Sequence, residues 1–566
     1  MPRPLVFWTV ALLAVGWAAW RATALAWTCD DAFITFRYAQ NFVDGNGLVF
    51  NLDPGEAPVE GYTNFSWTMW MAFGAMLGFG HAGMESWSIF WGVVCHAAVV
   101  LLLAGMAWRA SSGRAVVPVA ACGYAAVHHA ASLAPAGLET ALFVLLATAM
   151  ARLAMALRCA REAWLMGFLG VLCAMTRPDG GIFVAMGGLF VLFDACDRRA
   201  PRLLLGYVAP FVLVFAPYLL WRHAFYGAWV PNTAVAKSAS EPFFELGWPY
   251  VRDFFGCYWA LLPGVVPVLW FALRKPDVLA TISPFLGRRP WLVLLAFVAP
   301  YLAFVTWVGG DFMFGRFALP VLPLLLFGWD LALQRWRPLW LQPLVAGLLV
   351  VGLSLPVEPA GLDDPRNPVS DNRRITLAPV PGTNVTWADA FRLCGDYLQP
   401  LFDGLDVRIA IAGSHANVAF RAEVPVAVEV AAGLTDAHIA RLPYRKRGKA
   451  GHGKPSDPQY LERRGVHFHL EPTYLAADPW RKIVFVPCGL PARLVTWDRE
   501  LMAELRRRDP NVAFDDFELF LDRYLADLPN KGKRQVAKDL AKFRRFYFDH
   551  NDDPERLRRF EQFVGQ

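Results

Sequence analysis

The chain has 566 residues, of which 56% are hydrophobic and 18% charged, with a formal net charge of +6 and a mean hydropathy of +0.34. Soluble domains are about half apolar and a quarter charged, so this composition excludes a soluble fold for the whole chain. The positive charge sits beside apolar runs and forms no single basic stripe, which fits membrane topology and argues against a nucleic-acid partner.

Apolar runs dominate as far as Leu355, and charged residues are dense beyond it. The expected organisation is an α-helical polytopic membrane domain over residues 1–356 and a soluble domain over residues 357–566. Residues 5–27 are long enough to cross ~30 Å of hydrocarbon. They are read as an uncleaved first span, although Ala24-Leu25-Ala26 resembles a signal-peptide cleavage site. Residues 28–85 then form the first extracytoplasmic loop. Further apolar stretches at 86–108, 115–132, 140–157, 163–175, 181–193, 203–221, 257–273, 291–307, 313–333 and 338–356 bring the total to about eleven transmembrane helices. With Arg3 in the cytoplasm, the loops carrying Arg109/Arg114, Arg152/Arg158/Arg161, Arg198/Arg199/Arg202, Arg274/Lys275/Arg288/Arg289 and Arg335/Arg337 all fall inside, as the positive-inside rule requires. That count leaves out the apolar run 65–80, which is read as a helix on or dipping into the outer leaflet, with Trp67 and Trp70 at the headgroup level.

An odd number of spans puts residues 357–566 outside, as an extracytoplasmic α/β domain. Segments 407–411, 426–430, 466–470 and 483–486 read as short buried strands, 445–458 as a polar loop, and 498–566 as helical from the spacing of Phe517, Leu521, Leu525, Phe543 and Phe546. Nine cysteines show no C-x-x-C or zinc-like spacing, and Cys394 and Cys488, the two in the soluble part, could pair if it is exported. The pairs His128/His129 and His467/His469 read as helix-end or strand residues, not ligands. Asn64-Phe65-Ser66 and Asn384-Val385-Thr386 fit a glycosylation sequon, which has meaning only in a eukaryotic-type secretory host.

The loops without clustered basic charge carry the unusual polar sequences: Asp30-Asp31-Ala32-Phe33-Ile34 with Phe36-Arg37-Tyr38, Glu60-Gly61-Tyr62-Thr63-Asn64, Gly137-Leu138-Glu139-Thr140, Thr176-Arg177-Pro178-Asp179-Gly180, Pro231-Asn232-Thr233 with Lys237, and Asp311-Phe312-Met313 with Gly315-Arg316. Ionisable groups at a bilayer edge are costly to dehydrate and mark a polar cavity. Glu139 and Asp179 are equally readable as caps of the helices that follow them. Arg177 and Arg316 break the positive-inside pattern, so an anion on the outer face is expected to hold them. Adjacent carboxylates point in different directions, so one of Asp30 and Asp31 can face a reaction centre while the other orients it or binds a divalent cation. With Arg37, Lys237 and Arg316 on the same side, these acids meet what glycosyl transfer from a phospho-sugar needs: a base for an acceptor hydroxyl and cations for a departing phosphate.

At these residues the chain resembles the GT-C superfamily of membrane glycosyltransferases, most nearly the terminal arabinofuranosyltransferase family of mycobacterial cell-wall assembly and its bacterial relatives. In the soluble part Gly433-Leu434-Thr435-Asp436, Ile439-Ala440-Arg441, Gly451-His452 and Tyr460-Leu461 with Arg464-Gly465-Val466 look similar too. Glu429, where an Asp is expected, and Cys29 beside the acids depart from the pattern. The resemblance implies a polyprenyl-phosphate sugar donor, arabinofuranose in the mycobacterial members, a glycan, lipid or protein acceptor, a bacterial plasma-membrane location, and Asp30 as general base with Asp31 supporting it or holding a divalent cation. Glu60, Tyr62, Glu139, Arg177, Asp179, Asn232, Lys237, Asp311 and Arg316 join Arg37 as candidate donor-binding residues. A membrane transporter or flippase is the rival reading; it calls for polar residues at mid-span, whereas these gather at one end of the helices.

Overall fold

The computed structural model describes residues 3–237, 241–273, 288–336, 339–412, 415–444, 453–454, 457–470, 479–485 and 490–565. Arg274, Lys275, Arg337, Gly451-His452, Cys488 and most of the expected 445–458 loop lie outside the described residues. In chain order the helices that build the first part are α1 (Arg3–Ala24), α2 (Asp30–Val43), α3 (Phe65–Met76), α4 (Met84–Ala110), α5 (Val119–Ala126), α6 (His128–Leu133), α7 (Thr140–Met155), α8 (Ala160–Thr176), α9 (Gly180–Asp197), α10 (Pro201–Pro210), α11 (Ala216–Tyr226), α12 (Asn232–Ala236), α13 (Phe244–Cys257), α14 (Leu262–Leu273), α15 (Arg288–Val308), α16 (Leu322–Trp336) and α17 (Leu341–Ser354).

Small residues set the spacing of this bundle. α1 turns Ala11, Ala14, Ala18 and Ala22 inward and packs along α4, because in a membrane close backbone approach replaces the hydrophobic drive. Where α8 crosses α10, a Cβ on Gly167 would lie 2.2 Å from the Tyr207 carbonyl oxygen, so only glycine fits. The outward faces stay apolar, with Leu12, Leu13, Leu213 and Leu220 exposed, as lipid contact demands.

Against the expected eleven spans, five helices among the described residues are long and apolar enough to cross a membrane, or six if the pair Phe244–Cys257 and Trp259–Trp270, bent by 81°, counts as one. The other expected spans are shorter. The one at 115–132 is broken at Val127, which leaves the helical region (ψ 118°) and divides α5 from α6. α10 and α11 make one long span through a π-turn at Phe211–Phe215, next to Pro210 and Pro217, whose missing N–H groups interrupt the ladder. α3 has 12 residues, about 18 Å of helix, too short to cross.

Beyond Ser354 the chain changes character. α18 (Asn372–Leu377), α19 (Trp387–Phe402) and α20 (Ala416–Arg421) flank a six-stranded sheet. Its strands are β1 (Arg408–Ile411), β2 (Val426–Glu429), β3 (Phe468–Leu470), β4 (Lys482–Phe485), β5 (Leu490–Leu494) and β6 (Val512–Phe514), in spatial order β2-β1-β3-β5-β4-β6. The first three are parallel and the last three antiparallel. The four expected strands are all present, while β5 and β6 were not foreseen. The chain ends in helices Arg499–Arg508, Phe517–Ala526, Lys533–Phe543 and Pro554–Gly565, gathered on Trp480, Phe517, Phe543 and Phe546. One apolar core runs through both parts: Phe33 and Phe36 of α2 meet Phe420 of α20 at ring distances of 5.8 and 6.0 Å.

Candidate active site

Asp30 and Asp31 form the first turn of α2, where unpaired backbone N–H groups favour carboxylates. Both are half-buried, while residues 32–39 are buried. The turn before α7 holds the start of α2 in place: the Cys29 N–H donates to the Ala136 carbonyl at 2.9 Å. Gly137, at φ +81°, lies so close that a Cβ there would sit 2.8 Å from the Ala32 methyl. Burial first, then Asp30 and Asp31, push the Cys29 thiol well above its ordinary value. It therefore stays protonated and lies 3.1 Å from Asp30 Oδ1 as a donor. The cysteine that looked out of place beside the acids gives one of them a hydrogen bond.

Five charged residues from three separate loops come together below this pair. Glu139 Oε1 accepts from Arg316 at 2.8 Å and from Arg177 at 3.4 Å, while Oε2 accepts from Asn64 at 3.1 Å. Arg177 forks onto Asp179 at 2.9–3.3 Å, Tyr301 donates to Asp179 at 2.7 Å, and Arg316 reaches Asp311 at 3.2 Å. All five are buried. Burial would raise Glu139, but Arg316 and Arg177 more than reverse it and hold the carboxyl below its ordinary value. Asp31 is near enough to act on Arg316 electrostatically.

This network corrects one expectation. Arg177 and Arg316 do not wait for an external anion, because Glu139, Asp179 and Asp311 already bind them. Three carboxylates against two guanidiniums leave the cluster negative, a poor cradle for a phosphate. Arg37 is likewise not a free cation. Its guanidinium is buried and donates to the carbonyls of Phe50 (2.6 Å), Ala419 (2.9 Å), Val424 (2.5 Å) and Pro425 (3.2 Å), so it fastens α2 to the α/β part. Asn232 does similar work, its amide donating to the carbonyls of Gly433 at 2.7 Å and Leu434 at 2.9 Å.

Glu60 pairs with Arg222 at 2.8 Å, and burial pushes its carboxyl up to about 7 against that pull. Tyr62 is buried against Tyr38, ring centres 4.7 Å apart. Lys237 is exposed, and no described carboxylate pairs with it. Glu429, the other departure, holds a turn: it accepts from the N–H groups of Ala431 (2.6 Å), Ala432 (3.1 Å) and Leu434 (2.9 Å). That turn seats Gly433 beside Ile439 and Ala440, where no side chain fits.

Sequence reasoning did not single out Arg222, Asn64 and Tyr301 as partners. Arg222 carried the signal that flagged Arg177 and Arg316, a lone arginine on the side where the positive-inside rule expects none. Asn64 carried one too, as the last residue of the Glu60–Asn64 motif, whereas Tyr301 carried none, since one hydroxyl in an apolar stretch looks like any other. Among the described residues Asp31 has no two further imidazole, thiolate or carboxylate groups gathered about it. The described residues thus do not make a protein-built cation site there.

The fold and this site define a multi-pass membrane protein whose helix bundle carries a half-buried acid pair and a buried charge network at the end where the α/β part docks. By sequence it is similar to terminal arabinofuranosyltransferases, the resemblance its motifs carry. It is 30% identical over 394 residues to the terminal beta-(1->2)-arabinofuranosyltransferase of Mycobacterium tuberculosis, covering 62% of this chain and 60% of that protein. It is also 30% identical over 349 residues to the protein of the same name from Corynebacterium glutamicum, covering 56% and 49%. The chain thus spans only about half to three-fifths of the length of these curated relatives. No family model matches it. The crystal structure of ArnT from Cupriavidus metallidurans bound to undecaprenyl phosphate aligns at a TM-score of 0.48 and 13% identity, over 76% of this chain and 86% of that one.

Proposed function

We propose that the chain is an integral membrane glycosyltransferase that moves a sugar, arabinofuranose in the first instance, from a polyprenyl-phosphate donor to a glycan, lipid or protein acceptor, with inversion. The observation that carries this reading is the half-buried pair Asp30–Asp31 at a helix start, braced by Cys29 and the Ala136–Gly137 turn. The name shared by the two curated relatives supports it. Residues 1–356 are the catalytic membrane domain and 357–566 an extracytoplasmic domain, in a bacterial plasma membrane with the acid pair outside. A lipid-carried donor suits that side, because nucleotide sugars are made in the cytoplasm.

Asp30 takes the proton of the acceptor hydroxyl as its oxygen attacks the anomeric carbon. The bond from that carbon to the phosphate oxygen breaks, and polyprenyl phosphate departs through an oxocarbenium-like state. The Cys29 thiol holds Asp30 in one orientation. Lys237, exposed and without a described carboxylate partner, is the candidate contact for the leaving phosphate. Glu139, Arg177, Asp179, Asp311 and Arg316 form the rigid floor that positions the acid pair. Asp30→Asn is expected to lower sugar transfer from a lipid donor by about 10³-fold or more while donor binding persists. Turnover within tenfold of the unaltered protein would remove Asp30 as the base.

A further inference from the structure

A second cluster lies apart from the acid pair. His129 on α6, Glu358 in the turn after α17, and Asp371 just before α18 each offer a ligand atom, and these atoms lie within 4.8 Å of one another. A tetrahedral ion with bonds of ~2.1 Å holds its ligand atoms ~3.4 Å apart, so small side-chain rotations close the site. His129 is 3% exposed, and its Nε2 is buried with no hydrogen-bond partner. The other ring nitrogen is engaged: Nδ1 lies 2.6 Å from the Tyr258 hydroxyl, whose oxygen also accepts the His129 backbone N–H at 3.0 Å.

One tautomer of this arrangement suits a metal ion. With Nδ1–H donating to the Tyr258 oxygen, Nε2 keeps a bare lone pair, the form a metal ion requires. In the other tautomer Nε2–H would be a buried donor with no acceptor at hydrogen-bond distance in this conformation, which is unfavourable. Arg374 pairs with Glu358 at 2.5 Å and with Asp371 at 3.2 Å, and it is half-exposed. It offsets one of the two negative charges and leaves the cluster at −1 with His129 neutral. Glu358 and Asp371 are only partly buried, so an ion can reach them from solvent.

We propose that His129, Glu358 and Asp371 form a binding site for one divalent transition-metal ion that fastens residues 358–371 to the helix bundle. One imidazole with two carboxylates suits Zn²⁺ or Mn²⁺ better than Ca²⁺ or Mg²⁺, which favour all-oxygen shells. The site stands where such a fastening matters. Ser370, next to Asp371, exchanges hydrogen bonds with the backbone of Phe312 and Phe314 at 2.9 and 3.1 Å, and the His129 side chain lies against Gly315. The ion would thus hold the strip that presents Asp311 and Arg316. The proposal departs from the sequence-based reading of His129 as a helix-end residue and not a ligand.

The test uses the full-length purified protein, tag-free, with the exposed thiols of Cys159 and Cys196 alkylated because they could hold zinc on their own. After chelation and removal of the chelator, Zn²⁺ alone and Mn²⁺ alone are titrated. Bound metal is counted by elemental analysis and the thermal midpoint is followed. About one equivalent and a rising midpoint are expected. His129→Gln and Glu358→Gln should each weaken binding at least tenfold, and Asp31→Asn should leave it intact. Glu358→Gln alters a partly exposed residue and carries the test if His129→Gln does not fold. Absence of binding and of any midpoint shift with both ions overturns the site, as does an equivalent that survives Glu358→Gln or is lost in Asp31→Asn.

Discussion

Arg37→Met separates a structural role from a donor-binding one. The guanidinium makes three bonds of 2.9 Å or less, to the carbonyls of Phe50, Ala419 and Val424. Hydrogen bonds involving a charged group contribute ~1.5–3 kcal/mol each, or roughly 4–9 kcal/mol together. Burial opposes this: it lowers the Arg37 guanidinium from its ordinary value to about 10, a penalty of ~3 kcal/mol at ~1.36 kcal/mol per pH unit. The difference is roughly 3 kcal/mol, about a hundredfold in the local opening equilibrium between α2 and the α/β part. Amide hydrogen exchange over residues 419–425 should accelerate by about that factor, and Arg37→Lys should fall on the same side because a lysine cannot serve three diverging carbonyls. Unchanged exchange in Arg37→Met together with lost binding of a lipid-phosphate donor would refute the reasoning and return Arg37 to the role its sequence position suggested.

Three further outcomes follow from the same geometry. Glu139→Gln strands part of the charge of Arg177 and Arg316, and breaking a buried pair costs roughly 3 kcal/mol or more; the thermal midpoint and transfer rate should both fall, and an unchanged midpoint would deny Glu139 its bridging role. Gly61→Ala places a Cβ 2.9 Å from both the Leu434 carbonyl oxygen and the Tyr38 hydroxyl; overpacking of this kind costs roughly 1–3 kcal/mol and should expose the 431–436 turn to proteolysis. In the α/β part burial lowers His415, His467 and His469 to about 4. Between pH 6.5 and 4 the unfolded chain therefore binds more protons than the folded one, so the stability present above pH 6.5 is lost as pH falls toward 4, by roughly 3 kcal/mol per site at most. Tryptophan fluorescence of Trp480 and Trp497 against pH checks this, and a flat profile to pH 4 would contradict it.

Where the charges would matter was legible in the chain alone. An ionisable residue at the end of an apolar helix is tolerated only if something satisfies it, so the loops holding Glu139, Arg177, Asp179, Asp311 and Arg316 stood out, as did Asp30 and Asp31 behind the first apolar run. Strands β1–β4 were legible because each is a short run of buried Val, Ile, Ala or Phe. β5 carries Pro491 and Arg493, and β6 has three residues, so neither shows the alternation or length that marks a strand. What satisfies each charge was decided in three dimensions. Arg316 finds Glu139 across 177 positions, and Arg37 finds carbonyls more than 380 positions away. A guanidinium bonds to a phosphate, a carboxylate or a backbone oxygen with the same donors, so its place in the sequence says that it must be bound, and only the packed structure says by what.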